Sequence, residues 1–450
     1  MKNKFLNIYY QILAMLARKY LHKYQAYIIG INWSVGKTSC RMIITQTLQK
    51  FIQWKVIYTS SKNFNWELWL SLSVFKIEKW DPNLICFVKT FFQSAFKLCF
   101  WKKPYDIIVL EYGIDHPWEM DFILKIAKPH IGVFTAIDAV HSLQFGNPQE
   151  IANDEIKMIK NTLETWFLNE NDPWALALKP QIKIDYLTYQ TQWHDIIADI
   201  KFANEKFFLS DLQWNIWVEF DLWIKSKKLK IKTNLLWKEN YGYIWVALSI
   251  TEILSYKFWL LNKNIWDNLD LNYKLQPWRF SIFHGLDDSM IFDSSYNASP
   301  LSIRKVIDTV YNIRQSLFPH RKIRLLLWDM RELGELTERE HRLLASYVSQ
   351  VADYVFLVWE NMVNHLADEL VKFGYEEKKI SKFHKSRNAA WAIKKMLKKS
   401  ENEILLICKW SQNTIFLEEA VKMLLKNPED QKELTRQSKW WMKKKDQFFW

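Results

Sequence analysis

Glycine is scarce, with 9 in 450 residues, against about 7% in an average protein. So few residues able to enter left-handed turns without steric cost is hard to reconcile with tight loops. Cysteine is scarce too. Cys40, Cys86, Cys99 and Cys408 are scattered with no CxxC pair, which argues against a structural zinc site and a disulfide framework and fits a reducing cytoplasm. No apolar run at the N-terminus reaches the ~20 residues that would cross a bilayer. The stretch from Phe5 to Ala17 is stopped by Arg18, Lys19, His22 and Lys23. No small-residue cleavage site follows, so it reads as a short amphipathic helix and not a signal peptide. This helix is expected to pack on its own domain, with peripheral contact to a membrane surface as the alternative. An acidic excess is also lacking. Lys and Arg number 62 against 49 Asp and Glu, a net charge of +13, which favours acidic partners such as nucleotides, phosphorylated substrates or anionic lipid.

Tryptophan is abundant instead, with 25 residues. Tryptophan and glycine together come to about the glycine content of an average protein. Position sharpens the point. Trp33 lies in a phosphate-type loop, Trp278 follows Pro277, and Trp328 and Trp410 each follow an apolar run where a strand should turn. We therefore read many of these tryptophans as UGA codons that the source lineage translates as glycine. Trp174 and one of Trp440 and Trp441 are expected to be genuine. A comparison of UGA with UGG at these codons would decide each position.

The length predicts two domains with an appendage. From Tyr27 a buried strand, a loop and a helix opening at Lys37 begin an α/β nucleotide-binding domain. Strand-like runs at Asp106–Leu110, Ile131–Thr135 and Phe167–Asn169 alternate with helical patterns such as Pro148–Leu163, which predicts a mostly parallel sheet. Between Ile182 and Leu236 alternating patterns predict an antiparallel flap, and Tyr241–Leu254 reads as a helix. A second, smaller Rossmann-like α/β series follows Pro277, with strands near Met290–Asp293, Arg324–Leu327, Tyr354–Val358 and Glu403–Ile407. The expected division is 1–25 for the N-terminal helix, 26–276 for the ATP-binding domain and 277–450 for the C-terminal domain. The basic tail, Lys439 to Lys445, reads as a solvated end.

The sharpest local signal is Gly30-Ile31-Asn32-Trp33-Ser34-Val35-Gly36-Lys37-Thr38-Ser39. Backbone amides of such a loop and of the helix behind it surround phosphate oxygens, Lys37 neutralises the terminal phosphates, and the Thr38 hydroxyl suits Mg²⁺. The first glycine sits one place earlier than the common GxxxxGK[ST] spacing requires. Glu111, in Leu110-Glu111-Tyr112-Gly113, stands at a strand's C-terminal end, where ligands of open α/β sheets gather.

Read with glycine at the suspect tryptophans, the chain resembles the Mur ligase family of ATP-dependent amide ligases, whose loop reads G-x-T-G-x-x-G-K-[ST]. The segment from Glu111 to Glu119 resembles the family's E-x-G-x-x-x-x-G-E, whose first glutamate holds Mg²⁺. His141-Ser142-Leu143-Gln144-Phe145-Gly146, continuing to Glu155, resembles H-x-x-x-F-G…A-x-x-K. There the His binds a second Mg²⁺ and the Lys is carbamylated. Glu155 occupies the lysine position and carries a carboxylate outright. The resemblance also implies nucleotide contacts at Asn65 in Asn63-Phe64-Asn65, at Asn240 in Trp237-Lys238-Glu239-Asn240, at Arg279 after Pro277-Trp278, and at Asp293, Tyr296 and Asn297 in a D-D-x-Y-N-A-x-P-like segment where Ser294 replaces the second Asp.

Three further matches, Trp328-Asp329-Met330-Arg331-Glu332-Leu333-Gly334 with His341, Trp359-Glu360-Asn361, and Lys409-Trp410-Ser411, resemble the family's L-G-D-M-x-E-L-G…H, G-x-N and K-G-S. They imply substrate residues Asp329, Glu332, His341, Lys409 and Ser411. The implied reaction joins D-alanyl-D-alanine to a peptidoglycan precursor peptide with ATP and Mg²⁺. The implied partners are those substrates and no nucleic acid, and the implied location is cytoplasmic. No family-type domain of about a hundred residues precedes the loop to hold the uridine-diphosphate end of that precursor, so weak discrimination for that end is expected unless a partner protein or the helix of residues 4–20 restores it. A polyglutamate-type amide ligase and a non-catalytic nucleotide-binding scaffold in cell-wall assembly stay open as alternatives.

Overall fold

A computed structural model describes every residue except 1, 33–34, 61–66, 79–82, 115, 117–118, 137–147, 191–199, 211–214, 225–226, 259–267, 277–279, 296–297, 332, 399–402, 410–415 and 450. The chain forms two compact units, the first holding the bulk of the residues up to Lys274 and the second Leu275–Trp450.

In the first unit, the strands β1 (Tyr27–Asn32), β2 (Ile57–Tyr58), β3 (Ile107–Tyr112), β4 (Ile131–Phe134), β5 (Thr165–Asn169) and β6 (Asp185–Tyr189) form one sheet in the order β2-β3-β1-β4-β5-β6. Every pair is parallel. All residues of β1, β3 and β4 are buried, as strands covered on both faces require. The helices α1 (Lys2–Tyr24), α2 (Lys37–Phe51), α3 (Glu67–Val74), α4 (Leu84–Phe100), α5 (Glu119–Ile126) and α6 (Pro148–Asn161) pack around it.

The expected N-terminal helix is present and longer than its apolar run. Leu13, Ala17, Tyr20 and Leu21 bury against the core that α3 and α5 share. The expected flap is a four-stranded sheet in the order β10-β9-β8-β7, built from β7 (Ile200–Leu209), β8 (Ile216–Ile224), β9 (Lys227–Thr233) and β10 (Asn268–Leu271). Its β8–β9 pair is antiparallel, whereas β9–β10 is parallel. The long helix α7 (Lys238–Lys257) packs on α2.

The second unit carries β11 (Ser281–His284), β12 (Met290–Ser294), β13 (Lys322–Trp328), β14 (Tyr354–Val358), β15 (Ile380–Phe383) and β16 (Ile404–Lys409), in the order β11-β12-β16-β13-β14-β15. Only the edge strand β11 is antiparallel to its neighbour. Helices α8 (Pro300–Leu317), α9 (Thr337–Val351), α10 (Ser386–Leu397), α11 (Glu418–Leu424) and α12 (Lys439–Phe449) complete it. Ser299 starts α8 with a reciprocal capping box to Ser302.

The tail is largely the solvated end expected of its charge, with Lys439, Lys443 and Lys444 exposed, but its last lysine is not. Lys445 of α12 is buried and pairs with Glu418 at 2.9 Å and Glu419 at 2.8 Å, while Arg436 reaches Glu418 at 3.1 Å. A buried carboxylate needs such partners, and the tail supplies them.

Candidate active site

The parallel strands β1, β3 and β4 end together at one edge, with Asn32 in register with Tyr112 on one side and Phe134 on the other. Beyond Asn32 the chain turns into α2. The turn is pinned from β4, where the Thr135 hydroxyl donates to the Asn32 carbonyl (3.1 Å) and the Val35 amide donates to the Ala136 carbonyl (3.0 Å). Asn169 in turn holds Thr135 through its side-chain amide at 2.6 Å.

Gly36 caps α2 without any side-chain hydrogen bond and sits at φ +89°, in the left-handed region. A Cβ there would overlap the Tyr243 hydroxyl of α7. Glycine is thus required twice, by dihedral and by space. Lys37 opens the helix, and Thr38 and Ser39 behind it are buried. An uncapped helix N-terminus behind a glycine turn aims amides and a partial positive charge at an anion.

Glu111 stands opposite Ile31 in the register of β3 with β1. It was expected to face a metal. Its Oε1 accepts a hydrogen bond from Arg41 Nε at 2.6 Å, and both side chains are almost wholly buried. Arg41 also donates to the Thr59 hydroxyl at 2.8 Å and to the Ser60 carbonyl, so one guanidinium joins α2, β3 and the segment after β2. The sequence reading missed Arg41, because its position on α2 reads as an ordinary helix cation.

Glu155 is buried on α6, and its backbone carbonyl accepts from the Asn32 side chain at 3.3 Å, which fixes α6 to the end of β1. Asn240, in the first turn of α7 and one turn before Tyr243, is buried with no hydrogen-bond partner for Oδ1 among the described residues. A buried acceptor left open beside the loop helix suits a ligand. Val35 through Ser39, Glu111, Glu155 and Asn240 are therefore all carried by the first unit. Trp33, Ser34, Asn65 and His141 lie outside the described residues.

In the second unit Asp293, at the end of β12, is fully buried, and neither carboxylate oxygen has a hydrogen-bond partner among the described residues. Burial pushes its carboxyl up to about 7, with the nearby Ser295 side chain opposing the rise, Glu418 adding to it, and Lys409 and Arg436 opposing it. Lys409 donates to the Ser294 hydroxyl at 3.0 Å, so the serine in place of a second aspartate meets the lysine of β16. Arg279, Tyr296, Asn297, Glu332 and Ser411 lie outside the described residues.

Two expected substrate residues are turned inward. Asp329 accepts from the Asn361 amide (3.1 Å), the Asn361 side chain (2.8 Å) and the Met362 amide (2.8 Å). His341 is wholly buried, with Nε2 accepting from the Met330 amide at 3.0 Å and Nδ1 meeting the Thr337 carbonyl at 2.7 Å. Burial lowers its pKa to about 4, with His365 lowering it further and the Thr337 contact opposing. Both residues hold the loop after β13 in shape.

The tryptophans bear on the same loop. Trp359, at the glycine of the G-x-N-like turn, adopts φ +82°, a genuine outlier for a bulky side chain. It stacks on Trp328, with ring centroids 5.5 Å apart. The buried Trp328 N–H has no hydrogen-bond partner among the described residues. Trp118, Trp278 and Trp410, like Trp33, lie outside the described residues.

The Mur ligase middle domain matches residues 33–248, and the Mur ligase, glutamate ligase domain matches residues 278–409. The chain belongs to the Mur ligase family. This Mur ligase chain is 24% identical over 422 residues to the UDP-N-acetylmuramoyl-tripeptide–D-alanyl-D-alanine ligase of Bacillus subtilis, covering 92% of itself and 79% of that relative. Among solved structures it is similar to MurF from Acinetobacter baumannii (TM-score 0.69, 16% identity, 92% of this chain and 80% of that one). It is also similar to the MurF ligase from Thermotoga maritima in complex with ADP (TM-score 0.68, 19% identity, 95% and 85%). These structural likenesses establish the fold.

Proposed function

We propose that the chain is an ATP-dependent, ADP-forming amide ligase that joins D-alanyl-D-alanine to a peptidoglycan precursor peptide, acting in the cytoplasm. Residues 26–276 are its ATP-binding domain and 277–450 its C-terminal domain, preceded by the helix of 1–25. The observation that carries this reading is the glycine-gated loop Val35–Ser39 on the C-terminal edge of a parallel sheet, in a chain similar over most of its length to ligases of that name.

In such a ligation the terminal phosphoryl group of ATP passes to the peptide carboxylate, and the amine of D-alanyl-D-alanine then displaces phosphate. Lys37 and the first-turn amides of α2 hold the transferred group's oxygens and offset their charge. Asn240 offers a buried acceptor for a polar group of the nucleotide.

The donor set also suits Mg²⁺. Among the described residues no cluster of three or more His, Cys, Asp or Glu is placed to hold a metal. Mg²⁺ bound with a nucleotide needs only one or two carboxylates besides phosphate oxygens and water. Thr38, Glu111 and Glu155, with His141, are the residues that would hold it. When bound it offsets charge as two anions approach.

The test is product analysis with ATP, the precursor peptide and either D-alanyl-D-alanine or glutamate. ADP release with the D-alanyl-D-alanine adduct is expected. A glutamate adduct alone would replace the substrate assignment, and nucleotide binding without amide formation would make the chain a scaffold.

A further inference from the structure

Helix α4 packs Phe87, Phe91 and Leu98 against the core on its inner side, together with polar residues, and carries a second apolar stripe facing outward. Its buried positions are Thr90, Ser94 and Lys97, whereas Leu84, Ile85, Val88, Phe92, Phe96 and Phe100 are exposed, Ile85 to 81% and Phe100 to 75%. From Ile85 onward these residues recur every three or four positions, so they form one stripe along the helix. A helix facing water carries polar residues on its outer face.

The inner face is held in place. Lys97 donates to the Phe75 carbonyl at 2.6 Å. Alongside, α1 runs parallel to α4, with the Tyr9 hydroxyl on the Phe87 carbonyl at 2.9 Å and Lys23 on the Leu98 carbonyl at 2.6 Å. The apolar stripe is therefore fixed outward and not a loosely placed helix.

The charge around it is mostly of one sign, although Lys103 pairs with Asp106 at 2.8 Å. Residues 2–24 and 84–103 contain nine Lys and Arg and no Asp or Glu. Arg18, Lys19, Lys23, Lys89, Lys102 and Lys103 are exposed. A surface of mixed charge would be met by cations alone, whereas an anionic lipid leaflet complements both the cations and the Phe-rich stripe. The helix does not span, since no helix among the described residues is long and apolar enough to cross a membrane, and its inner side belongs to the protein. Its 17 residues would lie flat over about 25 Å.

We propose that α4, flanked by the cations of α1 and of the segment after Phe100, is an interfacial helix that docks this chain on an anionic lipid surface. The contact is independent of the ligase chemistry and adds to the family's activity a place where it is exercised.

Flotation of the full chain with vesicles tests it. Vesicles with about 30% phosphatidylglycerol in phosphatidylcholine should bind at least ~10-fold more protein than pure phosphatidylcholine. Phe92→Ser with Phe96→Ser, both at exposed positions, should reduce that binding at least ~10-fold, and Lys89→Glu with Lys102→Glu should do the same. Circular dichroism and ATP binding should be unchanged in both pairs, which separates loss of docking from loss of fold or nucleotide site. Flotation on neither vesicle, equal flotation on both, or binding undiminished by either pair would overturn the proposal. A dimer in sedimentation velocity that Phe92→Ser with Phe96→Ser dissolves, without vesicle binding, would assign the stripe to a second copy instead.

Discussion

Arg41 and Glu111 meet in a buried ion pair of 2.6 Å that ties the loop helix to the strand beside it. Removing one partner from a buried pair strands the other charge, at a cost of about 3–5 kcal/mol. Arg41→Met is expected to lower the stability of the first unit by that amount, and Arg41→Met with Glu111→Leu to recover most of it. Urea unfolding checks both. A single variant as stable as the parent would show that the pair is not coupled to the fold.

Gly36→Ala places a side chain at φ +89° against Tyr243. The left-handed conformation alone costs about 1–2 kcal/mol, so Mg-ATP binding should weaken roughly 10-fold or more. Adding Tyr243→Phe removes the hydroxyl but not the dihedral strain, and titration calorimetry should find only partial recovery. Full recovery would make the steric contact the whole cause.

Glu155→Gln is expected to slow ligation at least ~100-fold while ATP binding survives, because a carboxylate beside a charged reaction centre matters more to the transition state than to the nucleotide cradle. Single-turnover rates and nucleotide titration on the same preparation separate the two. Unchanged rates would mean that another group supplies the charge.

His341 gives the second unit a pH dependence. Its folded-state pKa, about 4, lies below the ordinary 6.5, so the unfolded chain takes up the proton first as pH falls. The stability this residue contributes is present above pH 6.5 and is lost progressively toward pH 4, by about 3 kcal/mol in all. His341→Gln should flatten that part of the curve when urea midpoints of variant and parent are compared between neutral pH and pH 4.5. Parallel curves would refute the assignment.

The glycine reading of the tryptophans is tested at one position and then at several. Trp359→Gly and Trp359→Ala both lose the stack on Trp328, but only glycine accepts φ +82° at no cost. The glycine variant should be more stable by about 1–2 kcal/mol, the reverse of the usual order at ordinary dihedrals. Protein made with glycine at 33, 118, 278, 328 and 410 should also bind Mg-ATP more tightly than the chain as written. Equal affinity would confine the idea to composition.

Much of the fold was readable because its strands are unbroken apolar runs. Ile107–Tyr112, Met290–Ser294 and Tyr354–Val358 lie within two residues of their expected limits. The loop Val35–Ser39 was readable because residue type and spacing carry its chemistry locally. Arg41 was not, since only the fold reveals that its helix position meets a buried strand. What the motif did not show is that Asp329 and His341 hold the loop after β13, through Asn361, Met362, Met330 and Thr337. Helix α4 went unread for a related reason: its apolar stripe points outward, where a pattern reading takes such a stripe for core.

The strand order has a consequence for how the chain is made. β1, at the centre of the first sheet, pairs with β3 and β4, and α2, β2, α3 and α4 are all synthesised before either. Throughout that interval β1 is a largely apolar strand with both edges open. Such long-range parallel pairing is slow to form, and the nascent chain is at its most aggregation-prone while it waits. A ribosome pause or a chaperone engagement between the loop helix and Ile107 would shield the strand that leads into the Val35–Ser39 loop.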